Sequence, residues 1–134
     1  MSDIQYVHDF LKKCGMYYLA TTDGDQPCVR PFGTVLIYED KLYIQTGRNK
    51  DVSKQMAKNP KVEICAYDGA QEWIRIAATV VNDDRKDVKQ AMLDAHPRLK
   101  GRYSADDNNT QVLYLKDATA RTYNFTEAPK TVHF

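Results

Sequence analysis

RPFGTVLIYEDKLYIQTGRNKDVSK, residues 30–54, decides how the rest of the chain is read. It holds two strand-like segments, a tight turn at Glu39-Asp40 and a basic loop opening into a short helix. Such a helix start suits an anion, because its first N–H groups lack intrahelical acceptors and the helix dipole is positive there. Lys50, Lys54 and Lys58 recur every four residues and share one face. A solvated lysine face and a phosphate site both account for that spacing. The position directly after a strand and a Thr46-Gly47 turn keeps the phosphate reading in play.

Upstream, residues 3–14 place Ile4, Val7, Phe10, Leu11 and Cys14 on one helical face, with Ser2 and Gln5 as a capping box and Gly15 as the stop. From Met16 the period falls to two. MYYLATT reads as a strand, DGDQP as its turn, and CVRPFGTVLIY as a second strand interrupted at Pro31 and Gly33. Proline cannot donate to a ladder and glycine packs nothing, so the pair marks a bulge or an edge, and glycine also lets a ligand reach the backbone. KLYIQT is the third strand, and Asp51–Lys58 is a helix with Val52 and Met56 inward, closed by Asn59-Pro60.

Downstream, KVEICAY alternates, and EWIRIAATVV sets Ile74, Ile76, Ala78 and Val80 against Trp73, Arg75, Ala77 and Thr79. The chain's one tryptophan therefore lies beside an arginine on the face the core does not claim, as a dimer interface or a planar ligand requires. A helix from Asp84 to Ala95 follows, then a polar loop, PRLKGRYSADDNN, with room for a short helical turn. QVLYLKD and TARTYNFT read as a final hairpin through Lys116-Asp117, and Ala128–Phe134 as a tail.

Six or seven short strands with turns between them predict a mainly β fold with peripheral helices, closed into an antiparallel barrel, in a single domain over residues 1–134. Net charge is +1, from 19 basic and 18 acidic side chains, which argues against bulk nucleic-acid binding. Cys14, Cys28 and Cys65 fall in periodic apolar segments and read as buried free thiols; no metal-ligand spacing links them or His8, His96 and His133. No run is apolar and long enough for a signal peptide or a membrane span, so the expectation is a cytoplasmic protein without a membrane role.

The ordered set YLATTDGDQPCVRPFG, LYIQTGRNKDVSKQMAKNPKVEICAY, EWIRIAATVVND and YLKDATARTYNF resembles the pyridoxamine 5′-phosphate oxidase-like FMN-binding split barrels, from about Tyr6 to Phe125. The resemblance implies a split β-barrel and a homodimer with FMN at the subunit interface. It implies that Arg30 and Lys50, joined by Ser53 or Lys54, hold the phosphate. Pro31, Phe32 and Gly33 would run along the isoalloxazine ring, Gln45 and Thr46 would contact ring or ribityl, and Trp73 and Arg75 would supply a further flavin contact. The oxidases of the family carry C-terminal arginine and histidine contacts for a substrate phosphate. Arg121 is the nearest candidate before PKTVHF and does not match them. The nitroimidazole-reductase type sets a histidine near the flavin, for which the sequence shows no counterpart.

Three functions follow as expectations. The first is an FMN-dependent oxidoreductase reducing a small planar acceptor, with NADH or NADPH as donor; the flavin carries the redox chemistry, so no catalytic residue is assigned. The second is a carrier of FMN or haem without turnover. The third, least favoured by the charge balance, is a barrel binding single-stranded nucleic acid through the lysines and nearby tyrosines.

Overall fold

The period-two segments form eight strands in a computed structural model that describes residues 1–134. They are β1 (Tyr17–Asp23), β2 (Gln26–Phe32), β3 (Leu36–Tyr38), β4 (Lys41–Gly47), β5 (Lys61–Tyr67), β6 (Trp73–Asp83), β7 (Thr110–Tyr123) and β8 (Lys130–His133). Three helices accompany them: α1 (Asp3–Cys14), α2 (Asp51–Lys58) and α3 (Lys86–Ala95). A short 3-10 helix, Pro97–Gly101, lies in the polar loop that had room for a short helical turn. No helix is long and apolar enough to cross a membrane.

The strands form one antiparallel sheet in the order β2-β1-β5-β6-β7-β4-β3, with β8 added beside β7. The path has two ends, so the barrel is split, as the family resemblance implies, and not closed as strand spacing alone suggests; eight strands replace six or seven. The reason lies in the opening stretch. CVRPFGTVLIY is not one interrupted strand: it ends at Phe32, resumes at Leu36, and its halves occupy opposite ends of the sheet. A flat sheet would hold those end strands about 29 Å apart at the usual strand spacing. Residues 33–35 reach at most about 14 Å. The sheet therefore curls until three residues can cross the split.

β7 corrects a second expectation. Lys116-Asp117 is not a hairpin turn but a bulge inside one 14-residue strand. Ala77 faces Thr119 while Thr79 faces Lys116, so β7 carries one extra residue, and Asp117 takes φ 52° to absorb it. At the bulge β7 changes partner, from β4 along residues 110–114 to β8 along 119–122. The expected tail thus supplies a strand. Its last residue, Phe134, exchanges two backbone hydrogen bonds with Ala118.

The main core fills the curl. Ile74, Ile76, Ala78 and Val80 of β6 point inward as their alternation predicts, meeting Leu19, Ile44, Ile64 and Leu113 under Val7, Phe10 and Leu11 of α1. Ile76 is fully buried, and cutting it to alanine would cost about 2–5 kcal/mol through lost transfer energy and a cavity. A smaller cluster of Tyr43, Val88, Met92 and Val112 seats α3 on the outer face of β4 and β7. α1 begins on Ser2, whose Oγ accepts from Gln5 N at 3.2 Å. The reciprocal half of the capping box is absent, since the Gln5 side chain donates to Asp9 instead. The thiols are free but none is buried as expected: Cys14 and Cys28 are half-buried, and Cys65 is exposed on the outward face of β5, opposite the run Val62, Ile64, Ala66.

Candidate functional site

The segment that crosses the split, Gly33–Val35, is held by side chains on both sides. Tyr17 donates its hydroxyl to Thr34 O at 2.6 Å, and burial pushes that phenol well above its usual pKa, so it stays a neutral donor. Gln45 N donates to Thr34 Oγ1 at 3.1 Å. His96, buried at the end of α3, places Nε2 3.1 Å from Val35 N and 3.0 Å from Val35 O. Desolvation lowers the His96 pKa, with Lys12, Arg98 and His8 nearby adding to that direction. The ring is therefore neutral near pH 7, and with its proton on Nδ1 it accepts the Val35 N–H.

In front of this segment opens a cleft of about 450 Å³, within the usual size of small-molecule sites. Its walls come from the end of β2, the end of β4, the start of α2 and the Pro97–Gly101 helix. Seven expected residues meet there: Arg30, Pro31, Phe32, Gly33, Gln45, Thr46 and Lys50. Gly33 leaves no easy room for a side chain. A Cβ there would lie 3.1 Å from Met16 Sδ and 3.3 Å from Arg98 Nη2, so the bare backbone faces the cleft.

Four cations line this cleft, Arg30, Lys50, Arg98 and Arg102, and no carboxylate does. None of the four forms an ion pair within the chain, although eight other pairs exist. Arg30 is instead aimed by neutral acceptors. Its Nη1 donates to Leu19 O at 3.1 Å and Thr21 Oγ1 at 2.8 Å, and its Nη2 donates to Gln55 Oε1 at 2.7 Å. Those bonds fix the guanidinium and leave its charge uncancelled. Lys50 is the residue before α2, and no side chain caps that helix. Ser53 N and Lys54 N turn back to Lys50 O, so the Asp51 and Val52 N–H groups are left for an anion or water. A phosphate with an attached planar ring fits this donor set: cations and free N–H groups at one end, a glycine-floored wall at the other.

Four expected residues lie elsewhere. Ser53 is buried and donates Oγ to Gln111 Oε1 at 2.5 Å, inside the fold. Lys54 lines a separate groove with Lys58. Trp73 stacks on Tyr123, ring centroids 5.4 Å apart and 9° from parallel, with Phe125 at 5.3 Å. Arg75 pairs with Glu63 at 2.7 Å. Neither Trp73 nor Arg75 lines the cleft of its own chain. Sequence reasoning missed Met16, Arg98, Leu99, Arg102 and Tyr103. The signal was the cationic run Arg98, Lys100, Arg102, which meets no acid until Asp106. His96 does not line the cleft, but shares Gly33 and Arg98 with it from a small cavity behind.

The sequence profile of the family described as pyridoxamine 5′-phosphate oxidase matches residues 5–124. No curated protein matches the chain. Among solved structures, a NimC/NimA family protein from Clostridium acetobutylicum is 45% identical, over 98% of this chain and 92% of its own, with a TM-score of 0.95. A pyridoxamine 5′-phosphate oxidase-related, FMN-binding protein from Nostoc punctiforme shares the fold at 16% identity, over 98% and 92% of the two chains, TM-score 0.63. A heme-binding protein from Mycobacterium smegmatis does so at 14%, over 99% of this chain and 58% of its own, TM-score 0.72. The order of strands, the split they leave and the match over residues 5–124 agree: the chain belongs to the pyridoxamine 5′-phosphate oxidase family.

Proposed function

We propose that this protein binds FMN in the cleft between β2 and β4 and acts as an oxidoreductase that reduces a small planar acceptor. The observation that carries the reading is the set of four unpaired cations facing the bare backbone of Gly33. Arg30 and Lys50 hold the phosphate with the free N–H groups of α2, while Pro31, Phe32, Gly33, Gln45 and Thr46 flank the ring. Bound FMN supplies hydride and electron chemistry, and the chain's part is to orient it and admit a second ligand. The cleft is open on one side, and a homodimer closes it, with Trp73 and Arg75 of a second copy as the added wall. Free thiols suit a cytoplasmic setting. The alternative, a carrier of FMN or haem without turnover, draws on the fold shared with the heme-binding protein.

Titration of the purified protein with FMN tests the reading. A bound-flavin spectrum that NADH or NADPH bleaches, and an added acceptor restores, supports the oxidoreductase. A flavin that binds but is not reduced leaves the carrier. No uptake of FMN sinks both flavin readings, and elution of dilute protein as a monomer removes the interface model.

A further inference from the structure

Met16 is a residue of the cleft that neither the phosphate contacts nor the ring contacts account for. It lies between Gly15, the stop of α1, and Tyr17, the first residue of β1. Tyr17 is buried, but Met16 lines the cleft and is 47% exposed. Its sulfur lies against the crossing segment, with Sδ 3.1 Å from the position a Gly33 Cβ would take. Because residue 33 has no side chain, the thioether reaches the same bare backbone that is assigned above to the flavin ring.

The other methionines set the scale. The chain has four, and Met56 and Met92 are buried, one in the main core and one under α3. Met1 is 90% exposed, but it is the chain terminus and lines no part of the cleft. Met16 alone is both open to small molecules and set beside the ring wall. The thiols compete poorly for an oxidant formed in the cleft, because none of the three lines it. Burial also pushes the Cys14 and Cys65 thiols up in pKa, away from the reactive thiolate. A thioether has no proton to lose and is oxidised directly to the sulfoxide.

We propose that Met16 is an oxidation site, converted to methionine sulfoxide by hydrogen peroxide formed in the cleft when molecular oxygen reoxidises the reduced flavin. The proposal rests on the FMN reading above. Molecular oxygen takes two electrons and two protons from the reduced flavin and leaves as hydrogen peroxide. A lone pair on Met16 Sδ attacks one peroxide oxygen: the O–O bond breaks, an S–O bond forms, and the other oxygen leaves as water. Sulfur is oxidised by two electrons and the peroxide is reduced by two. The product sets a polar S=O group against Gly33 where an apolar thioether stood, and so loosens the hold on the ring. Flavin binding is thereby lowered when oxygen takes the electrons meant for the acceptor, and reduction of the sulfoxide restores it.

The test takes FMN-loaded protein through rounds of anaerobic reduction by stoichiometric dithionite, which serves an oxidoreductase and a carrier alike, followed by air. Catalase is present to remove peroxide that escapes into bulk solution. Peptide mass spectrometry then reads the gain of one oxygen atom at each methionine, and the flavin-free chain treated with added hydrogen peroxide gives the reference ratio of Met16 to Met1. Reoxidation is expected to raise that ratio about fivefold or more. A ratio no higher than the reference, or no gain at Met16, overturns the proposal. After the rounds the wild type is expected to bind FMN about tenfold more weakly, while Met16→Leu keeps its own starting affinity within about twofold. An equal loss in Met16→Leu would place the damage on another residue and overturn the role given to Met16. Failure of the FMN reading shows separately and first, as no bound-flavin spectrum before any reduction, and the proposal then falls with it.

Discussion

Two basic regions flank α2, and they differ in everything but charge. The cleft has Arg30, Lys50, Arg98 and Arg102 against an apolar and backbone wall. The groove on the other side, about 510 Å³, has Lys54 and Lys58 among Thr22, Asp23, Gly24, Asp51, Gln55 and Asn59, with no hydrophobic residue. It is the larger of the two, yet its lysines share it with two carboxylates, and nothing in it could face an aromatic ring. Counting lysines on a helix face would rank the two alike. A site for a charged planar ligand is marked by cations whose counter-charge is missing and by a dry wall beside them. Gln55 stands between the regions, giving Oε1 to Arg30 on one side and lining the groove on the other.

The sharpest way to break this comparison is to remove a pair of cations from each region and ask which loss a flavin notices. R30A/K50A should weaken FMN about 100-fold, because two charge-assisted contacts to the phosphate are lost, while riboflavin affinity stays within about threefold. K54A/K58A should change FMN binding by less than about twofold, as expected of screened surface charges. Fluorescence titration with the two flavins reads all four numbers. Equal losses for both double variants would merge cleft and groove into one site.

The next effects concern the floor of the cleft, which is tied backbone, whereas the groove runs along a hairpin tip. H96A removes a buried ring and strands the Val35 N–H, at an expected cost of about 2 kcal/mol in a urea melt. Y17F should cost about 1 kcal/mol, the worth of its bond to Thr34 O, and loosen the same crossing segment. In both variants FMN should weaken less than in R30A/K50A, since the cations remain. A melt of Y17F that matches the wild type would show that the segment is held without it.

How much of this was readable beforehand depended on whether a residue's role is local. α1 and α2 were found to the residue because caps, stops and a 3.6 period are written within a dozen positions. The inward face of β6 was found for the same reason. What failed was non-local. Lys116-Asp117 has turn chemistry, and only pairing with β6 on one side and β8 on the other makes it a bulge. Pro31 and Gly33 announced an irregular edge strand, but not that the chain leaves one end of the sheet and joins the other. At the site, Arg30, Lys50 and the glycine-bearing strand were recognisable as an ordered set. Arg98 and Arg102 were not, because a loop about 50 residues downstream has no local pattern that points it into the cleft. Ser53 does not line the cleft for a related reason: on a two-turn helix only one face borders it, and the Ser53 hydroxyl is committed to Gln111.

The smallest expected effect follows from the titration of His96. Burial, and then the surrounding positive charge of Lys12, Arg98 and His8, lower its folded pKa below the usual histidine value. In the unfolded chain that value is about 6.5. Between the two values the unfolded chain binds the extra proton and the folded one does not, so acid favours unfolding. The contribution of His96 is therefore present in full above about pH 6.5 and declines as pH falls through the folded pKa. Protonation also removes the Nε2 acceptor that Val35 N uses, and turns that nitrogen into a donor facing Val35 O at 3.0 Å. Melting temperatures at pH 7.5, 6.5 and 5.5 should fall more steeply for the wild type than for H96A. Parallel curves would mean that the ring titrates alike in the folded and unfolded chain, and a wild type that gains on H96A toward acid would mean that the folded ring carries its proton and holds the segment through Val35 O. FMN affinity measured over the same range connects this back to the two basic regions. The phosphate takes up a proton near about pH 6 and weakens FMN toward acid in every variant, so the cleft, whose floor His96 holds, should lose more affinity in the wild type than in H96A, and K54A/K58A should follow the wild type.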